Sequence, residues 1–366
     1  MIKVCHVITT IDLGGAEKQL LLLTSYQVKM GYDVEVMYLK GNPVLLEDFV
    51  KSGVKVIENF ANKPISLQFV RLFQKGYRNK KVVFHAHLPR SELLCAIALR
   101  KKSFVVTRHN SEPFLPKGNS HISRLLSRYV IYNAFASIFI SNAAKLFSEF
   151  NRESLASDLT FVIYYGLQDV IPIEKKAKII NYDIIEIGTV SRLVPQKNLF
   201  FLLAIARELK NQNLFKFKIN ILGSGHLKEE LVSYGESLGI NKILQWHEPT
   251  LDVATFYRKQ NIFILTSFYE GFGLVLLEAM KFQIPILASN ASAIPEVLGT
   301  NHPGLTSSSD PKYWAAKIVS LVRDKKISLQ YLKCQRERLN QFSIAKTYSA
   351  HHDVYSKVFE RISRDL

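Results

Sequence analysis

Short apolar runs recur along this chain, at residues 4–8, 34–39, 54–57, 82–85, 104–107, 137–140 and 161–163. Each has the length of a strand, and longer stretches with apolar residues at helical spacing separate them. In residues 16–30, Leu20, Leu23, Tyr26 and Met30 share one helical face, and Gly31 supplies a stop. Strands that are apolar throughout need cover on both faces, which calls for a parallel sheet with helices on either side.

The alternation pauses at a polar, Lys-rich stretch and then restarts. Strand patterns return at 184–190, 217–222, 243–246, 262–265 and 286–289, with helical ones at 199–210, 227–238, 272–282 and 311–323. Before the last of these, Asp310 is placed to cap and Pro311 to open the first turn. A chain of 366 residues suits two such domains. The expected organisation is a first Rossmann-like α/β domain at 1–168, a linker at 169–182, a second at 183–345, and a terminal helix at 346–366. The two doubly wound domains are expected to face each other across a cleft. In the terminal helix Tyr348, His351, Tyr355, Val358, Phe359 and Ile362 form one face. That face either completes the second domain or crosses back to the first.

Other classes recede on simple grounds. Cys5, Cys95 and Cys334 are far apart and form no CxxC pair, so neither a disulfide framework nor a zinc site is expected. The charge-free stretch at 129–144 is shorter than the roughly 20 apolar residues of a spanning helix. The N-terminus enters a strand pattern with no leader cleavage site. Neither Gly14-Gly15 nor Gly223-Ser-Gly225 completes GxGxxG, which weakens a nicotinamide dehydrogenase. No Asp-x-Asp triplet occurs, so no metal-bridged site is expected, and no other cofactor is called for.

The net charge of +17 is not spread evenly: residues 51–128 hold 16 basic and 3 acidic side chains. Phe69 and Phe73 lie among Arg71, Lys75 and Arg78, Arg-Lys-Lys stands at 100–102, and Arg124 and Arg128 flank Leu125 and Leu126. Basic helices carrying aromatics suit an anionic membrane surface. Nucleic acid is not the expected partner, because no aromatic-basic signature of a known binding module appears.

The densest chemistry is Glu270-Gly-Phe-Gly-Leu-Val-Leu-Leu-Glu278, which follows the apolar run 262–265 and opens a helix. Gly271 and Gly273 let backbone N–H groups approach a ligand at a helix N-terminus, where the dipole favours anions. Glu278 suits ribose hydroxyls and Glu270 a sugar ring. Arg192 and Lys197 occupy one loop after strand 184–190, where ligands of open α/β sheets bind. His85, His87 and His109 stand at strand ends of the first domain, and for His85 and His87 a structural role weighs more. Ser141 and Asn142, at another strand end, are minor candidates.

Taken in order, these segments resemble the retaining nucleotide-sugar glycosyltransferases of family 4, which have the GT-B fold. The resemblance rests on Glu-x7-Glu around Gly-Phe-Gly, then Ile-Pro-Ile-Leu-Ala-Ser, Asp12-Leu-Gly-Gly-Ala-Glu-Lys18, Gly188-Thr-Val-Ser-Arg192-Leu-Val-Pro-Gln-Lys197, Ile294-Pro-Glu-Val297 and His302-Pro-Gly-Leu. It implies that Arg192 and Lys197 hold a donor diphosphate without metal, that Glu278 takes the ribose, and that Glu270 and His109 reach the transferred sugar. Gly271, Phe272, Gly273, Leu274, Gly14 and Gly15 would complete the donor site. The implied activity is hexose transfer from a nucleotide sugar to a lipid-linked or polysaccharide acceptor in cell-surface glycan assembly. The implied location is cytoplasmic, peripheral on the inner face of the plasma membrane. A sugar-nucleotide 2-epimerase of the same fold and a non-catalytic basic binding protein are the alternatives. Two departures bear on the sugar: Lys281-Phe-Gln after Glu278, and His247 after strand 243–246, where relatives carry small residues or glycine.

Overall fold

A computed structural model describes residues 2–58, 67–77, 80–99, 103–115, 118–154, 159–168 and 183–365, with the backbone alone at 67–69, 72 and 365. The chain forms two compact units, Met1–Asp169 together with Phe342–Leu366, and Val170–Gln341. The expected linker at 169–182 lies outside the described residues.

In the first unit seven strands form one sheet: β1 (Lys3–Ile8), β2 (Asp33–Tyr38), β3 (Lys55–Glu58), β4 (Val83–His87), β5 (Phe104–Arg108), β6 (Ala136–Phe139) and β7 (Thr160–Val162). Their order is β3-β2-β1-β4-β5-β6-β7 and every pairing is parallel. The second unit repeats the plan with β8 (Ile185–Val190), β9 (Phe217–Leu222), β10 (Leu244–His247), β11 (Ile262–Leu265), β12 (Ile286–Ser289) and β13 (Leu305–Thr306), ordered β10-β9-β8-β11-β12-β13. Strand order reverses direction beside β1 and β4 in one sheet and beside β8 and β11 in the other. A doubly wound sheet opens its binding crevice at such a point.

The apolar runs become buried strands because both faces are covered. Val4, Val7 and Ile8 of β1, and Ile262, Phe263 and Ile264 of β11, are all but inaccessible. β13 was not expected, since two residues carry no readable period. The helix expected from 272 starts at Leu274 (Leu274–Lys281), because Gly273 precedes it in a left-handed conformation.

The terminal helix, Ile344–Asp365, belongs to the first unit. Val354, Tyr355 and Val358 are buried there against Val4, Val83, Val105 and Ile138. The chain enters it through Leu167 N–H donating to Phe342 O (2.8 Å) and Ile344 N–H to Leu167 O (2.9 Å). Tyr32 of the first unit meets His352 of this helix at 2.6 Å. Its apolar face therefore crosses back and does not complete the second unit.

Candidate active site

In the second unit the loop after β8 and the loop after β11 are laced together by hydrogen bonds to backbone carbonyls. Phe268 N–H donates to Gln196 O (2.9 Å), Gln196 Nε2 to Tyr269 O (2.8 Å) and Thr266 Oγ1 to Lys197 O (3.0 Å). Gly223 supports the first loop from below, since a Cβ there would lie 1.9 Å from Ser191 O. The Gly223-Ser-Gly225 turn thus serves close backbone approach. Gly273 has φ +95°, a conformation that costs other residues about 1–2 kcal/mol. It turns the chain from the second loop into helix Leu274–Lys281, with Phe272 buried, Gly271 and Leu274 partly exposed and Glu278 in the second turn.

Lys197 Nζ lies 2.6 Å and 2.7 Å from the two carboxylate oxygens of Glu270. Both side chains are largely buried. Ser267 Oγ donates to Glu270 Oε1 (2.7 Å) and Ser292 Oγ to the Glu270 carbonyl (2.9 Å). Two residues expected to touch different parts of a donor are therefore each other's partners. Arg192 is exposed, and its Nη2 donates to Gln196 Oε1 at 3.1 Å. Tyr257 OH donates to Glu278 Oε2 at 2.7 Å, a contact that sequence spacing gave no means of finding.

In the first unit the loop Ile11–Gly14 leads into helix Gly15–Lys29. Glu17, in its first turn, accepts from Thr10 Oγ1 at 2.8 Å, and burial raises its carboxyl pKa. A Cβ on Gly14 would meet Glu17 Oε2 at 2.0 Å. The Glu17 carboxylate thus fills the space into which a side chain at Gly14 would point.

The histidines are more connected than their spacing suggests. His85 and His87 lie within β4, not after it, and both are buried. His85 bonds Tyr355 OH and Thr107 Oγ1, each at 2.6 Å. His87 bonds His6 (3.0 Å) on one side and His109 (3.0 Å) on the other. His6, unremarked in an apolar strand, also meets Gln27 Oε1 at 2.9 Å. His109 Nδ1 closes the series on Tyr165 OH. His6, His85 and His87 each bring one ring nitrogen within 4.8 Å of the others. Burial holds His6 and His109 neutral, with pKa values lowered to about 3.

The basic patch is rearranged. Phe73 is 2% exposed and packs on Phe84 at 4.9 Å between ring centres. It is a core residue, because the aromatic stripe of helix Leu67–Tyr77 faces the sheet. Arg71, Lys75 and Arg128 are exposed, while Arg124 is half-buried and donates to Asn151 O at 3.0 Å. The Phe69 side chain, Arg78 and residues 100–102 lie outside the described residues. The exposed apolar surface sits elsewhere: Ile122, Leu125, Tyr129 and Tyr132 recur along one side of helix Ser120–Asn133. Leu146 and Phe150 on helix Asn142–Phe150 are exposed too, Phe150 at 88%. No helix among the described residues is long and apolar enough to cross a membrane.

Comparison with known proteins addresses both units. Residues 170–338 match the family described as glycosyl transferases group 1, and residues 13–167 match glycosyltransferase family 4. The chain is 26% identical over 370 residues to the GalNAc-α-(1→4)-GalNAc-α-(1→3)-diNAcBac-PP-undecaprenol α-1,4-N-acetyl-D-galactosaminyltransferase of Campylobacter jejuni, covering 94% of this chain and 96% of the relative. It is 26% identical to the UDP-Gal:α-D-GlcNAc-diphosphoundecaprenol α-1,3-galactosyltransferase of Escherichia coli, over 45% of this chain and 44% of that one. Among solved structures, Anabaena HepE in complex with UDP and glucose superposes with a TM-score of 0.82 at 17% identity, covering 98% of this chain and 100% of HepE. With one sheet of seven strands, another of six, and a glycosyltransferase model matched on each, the chain belongs to the family 4-like glycosyltransferases of GT-B fold.

Proposed function

We propose that this protein is a metal-independent, retaining hexosyltransferase that moves a sugar from a nucleotide-sugar donor to a lipid-linked acceptor in cell-surface glycan assembly. The observation that carries the reading is the second-unit site, where Arg192, the Lys197–Glu270 pair and the Leu274–Lys281 helix start follow from two neighbouring parallel strands. The donor must leave as a diphosphate, so cations and aligned N–H donors are needed where negative charge develops. Arg192, exposed at the loop, is the cation best placed to meet it. Lys197 would hold Glu270 oriented toward the sugar, and Glu278, held by Tyr257, would take the ribose hydroxyls. Retention would follow from departure of the diphosphate and attack on the same face, with a diphosphate oxygen taking the acceptor's proton.

The acceptor class is supported by the Campylobacter and Escherichia relatives, both named for undecaprenol-diphosphate-linked acceptors. A membrane-bound acceptor agrees with the exposed stripe Ile122, Leu125, Tyr129 and Tyr132, next to Arg128. On this reading the enzyme is peripheral on the cytoplasmic leaflet, and nucleic acid is not a partner.

The test is a panel of nucleotide sugars with a polyprenyl-diphosphate glycan acceptor, run with and without EDTA. Transfer that survives EDTA and gives the donor's anomeric configuration by NMR is expected. No transfer from any donor would sink the activity, loss in EDTA the metal independence, and an inverted product the retention. For the membrane, Leu125→Glu should release the protein from anionic vesicles in a flotation assay. Equal flotation of both proteins would remove that surface.

A further inference from the structure

The buried histidines form a chain with one direction. The Gln27 amide oxygen can only accept, so His6 must carry its hydrogen on Nε2 to make their 2.9 Å bond. His6 Nδ1 is then an acceptor, and its 3.0 Å contact obliges His87 to donate from Nε2. His87 Nδ1 in turn accepts, so His109 donates from its Nε2, again at 3.0 Å. The last free choice disappears at His109 Nδ1, which takes the proton of the Tyr165 hydroxyl.

A charge anywhere along this path would undo it, because an imidazolium donates from both nitrogens. Burial disfavours that charge at every member, and His85 and His87 are pushed well below the ordinary histidine range. The rings are also held sideways: His85 packs tilted against His87 with centroids 4.0 Å apart, and Thr107 and Tyr355 fix His85. The chain starts on helix Gly15–Lys29, crosses β1 and β4, and ends at a small cavity of about 20 Å³, where His87, His109 and Tyr165 stand among Leu20, Leu23 and Ile163 and about one water has room.

We infer that Gln27, His6 and His87 are positioning residues, which hold His109 as its neutral Nε2–H tautomer and turn the Tyr165 proton inward. His109, with both nitrogens engaged, serves as a fixed wall and not as a proton donor. The bearing on sugar transfer rests on the function proposed above, whereas the tautomer does not.

The experiment is a long-range proton–nitrogen correlation on full-length protein with 15N-labelled histidine at neutral pH, which separates protonated from bare ring nitrogens. His6, His87 and His109 should show hydrogen on Nε2 alone. Gln27→Leu removes the terminal acceptor and should leave His109 as a mixture of tautomers. Gln27→Glu keeps an acceptor and should restore the single form. Transfer should fall about tenfold in Gln27→Leu, the scale for losing a partner that orients an imidazole, and return in Gln27→Glu. A wild-type His109 carrying hydrogen on Nδ1, or on both nitrogens, would overturn the inference without any variant. So would zinc retained stoichiometrically through gel filtration and lost in His85→Asn, since His6, His85 and His87 would then be metal ligands. Correct tautomers in a protein that transfers no sugar would overturn the proposed function and leave the chain standing.

Discussion

The two units share a sheet plan, but the first adds to its ion pairs a chain of neutral histidines that the second unit's donor-side loops do not use. Each brings polar groups to the carboxyl ends of its central strands, where an apolar environment makes unpaired groups expensive. The second unit neutralises charge with charge, as Lys197 and Glu270 meet at 2.6 Å and 2.7 Å. The first also pairs charge, Arg108 with Glu92 at 3.2 Å, but beside that pair it passes hydrogen bonds through His6, His87 and His109, whose rings burial keeps neutral. A buried ion pair is costly to break by removing one partner, because the other charge is left buried. A neutral chain tolerates small losses and fails when protons are forced on it.

Removing one partner should therefore give the largest effect in the second unit. Lys197→Ala leaves the Glu270 carboxylate buried without its cation and should cost about 3–5 kcal/mol in denaturant unfolding. Lys197→Ala with Glu270→Ala should recover part of that loss, and strict additivity would mean that the pair is not coupled.

Acid should reverse the ranking. His6 and His109 have folded pKa values of about 3 and His351 about 4, below the ordinary histidine value of 6.5. Between those values the unfolded chain binds more protons than the folded one, so stability falls as pH drops from 6.5 toward 4. Each such histidine contributes at most about 1.4 kcal/mol per pH unit. Amide exchange by mass spectrometry should show β1 and β4 peptides opening before β8 and β11 peptides. Simultaneous opening of both units would erase the contrast.

Smaller effects sharpen the picture of the second unit. Gly273→Ala must hold φ +95° with a Cβ 3.1 Å from Leu276 Cδ1, and should cost about 1–2 kcal/mol in thermal unfolding. Arg192→Ala, exposed and tied only to its neighbour Gln196 among the contacts described, should change stability by less than about 0.5 kcal/mol. Its nucleoside-diphosphate affinity, by calorimetry, should fall by about 1.5–3 kcal/mol. Unchanged affinity would remove Arg192 from the donor site.

Much of this molecule could be read before it was folded. Apolar runs predicted every strand of both sheets except β13, and Asp310 caps helix Pro311–Arg323 by accepting from Lys312 N–H at 2.9 Å. The Glu270 to Glu278 segment named the family because its glycines and acids act within one loop and one helix start. Phe73 was misread because an amphipathic helix has the same period whether its aromatics face a sheet or a membrane. Its hydrophobic neighbour in space, Phe84, comes from a strand. The exposed Ile122 and Phe150 escaped notice for the converse reason, since residue type alone does not set exposure.

Residue order settled local features: the period of burial along each segment, the stops and caps, and a motif confined to one turn. Those suffice for two doubly wound sheets, because short apolar runs with helices between them have few other ways to hide both faces. The tertiary structure alone decided the pairings across distance. It placed His6 beside His87, 81 residues apart, and Lys197 beside Glu270, 73 apart, and it returned the final helix to the first unit. Such contacts depend on strand order and register, which neighbouring residues do not encode, so only the folded sheet could turn three ordinary histidines into one directed chain.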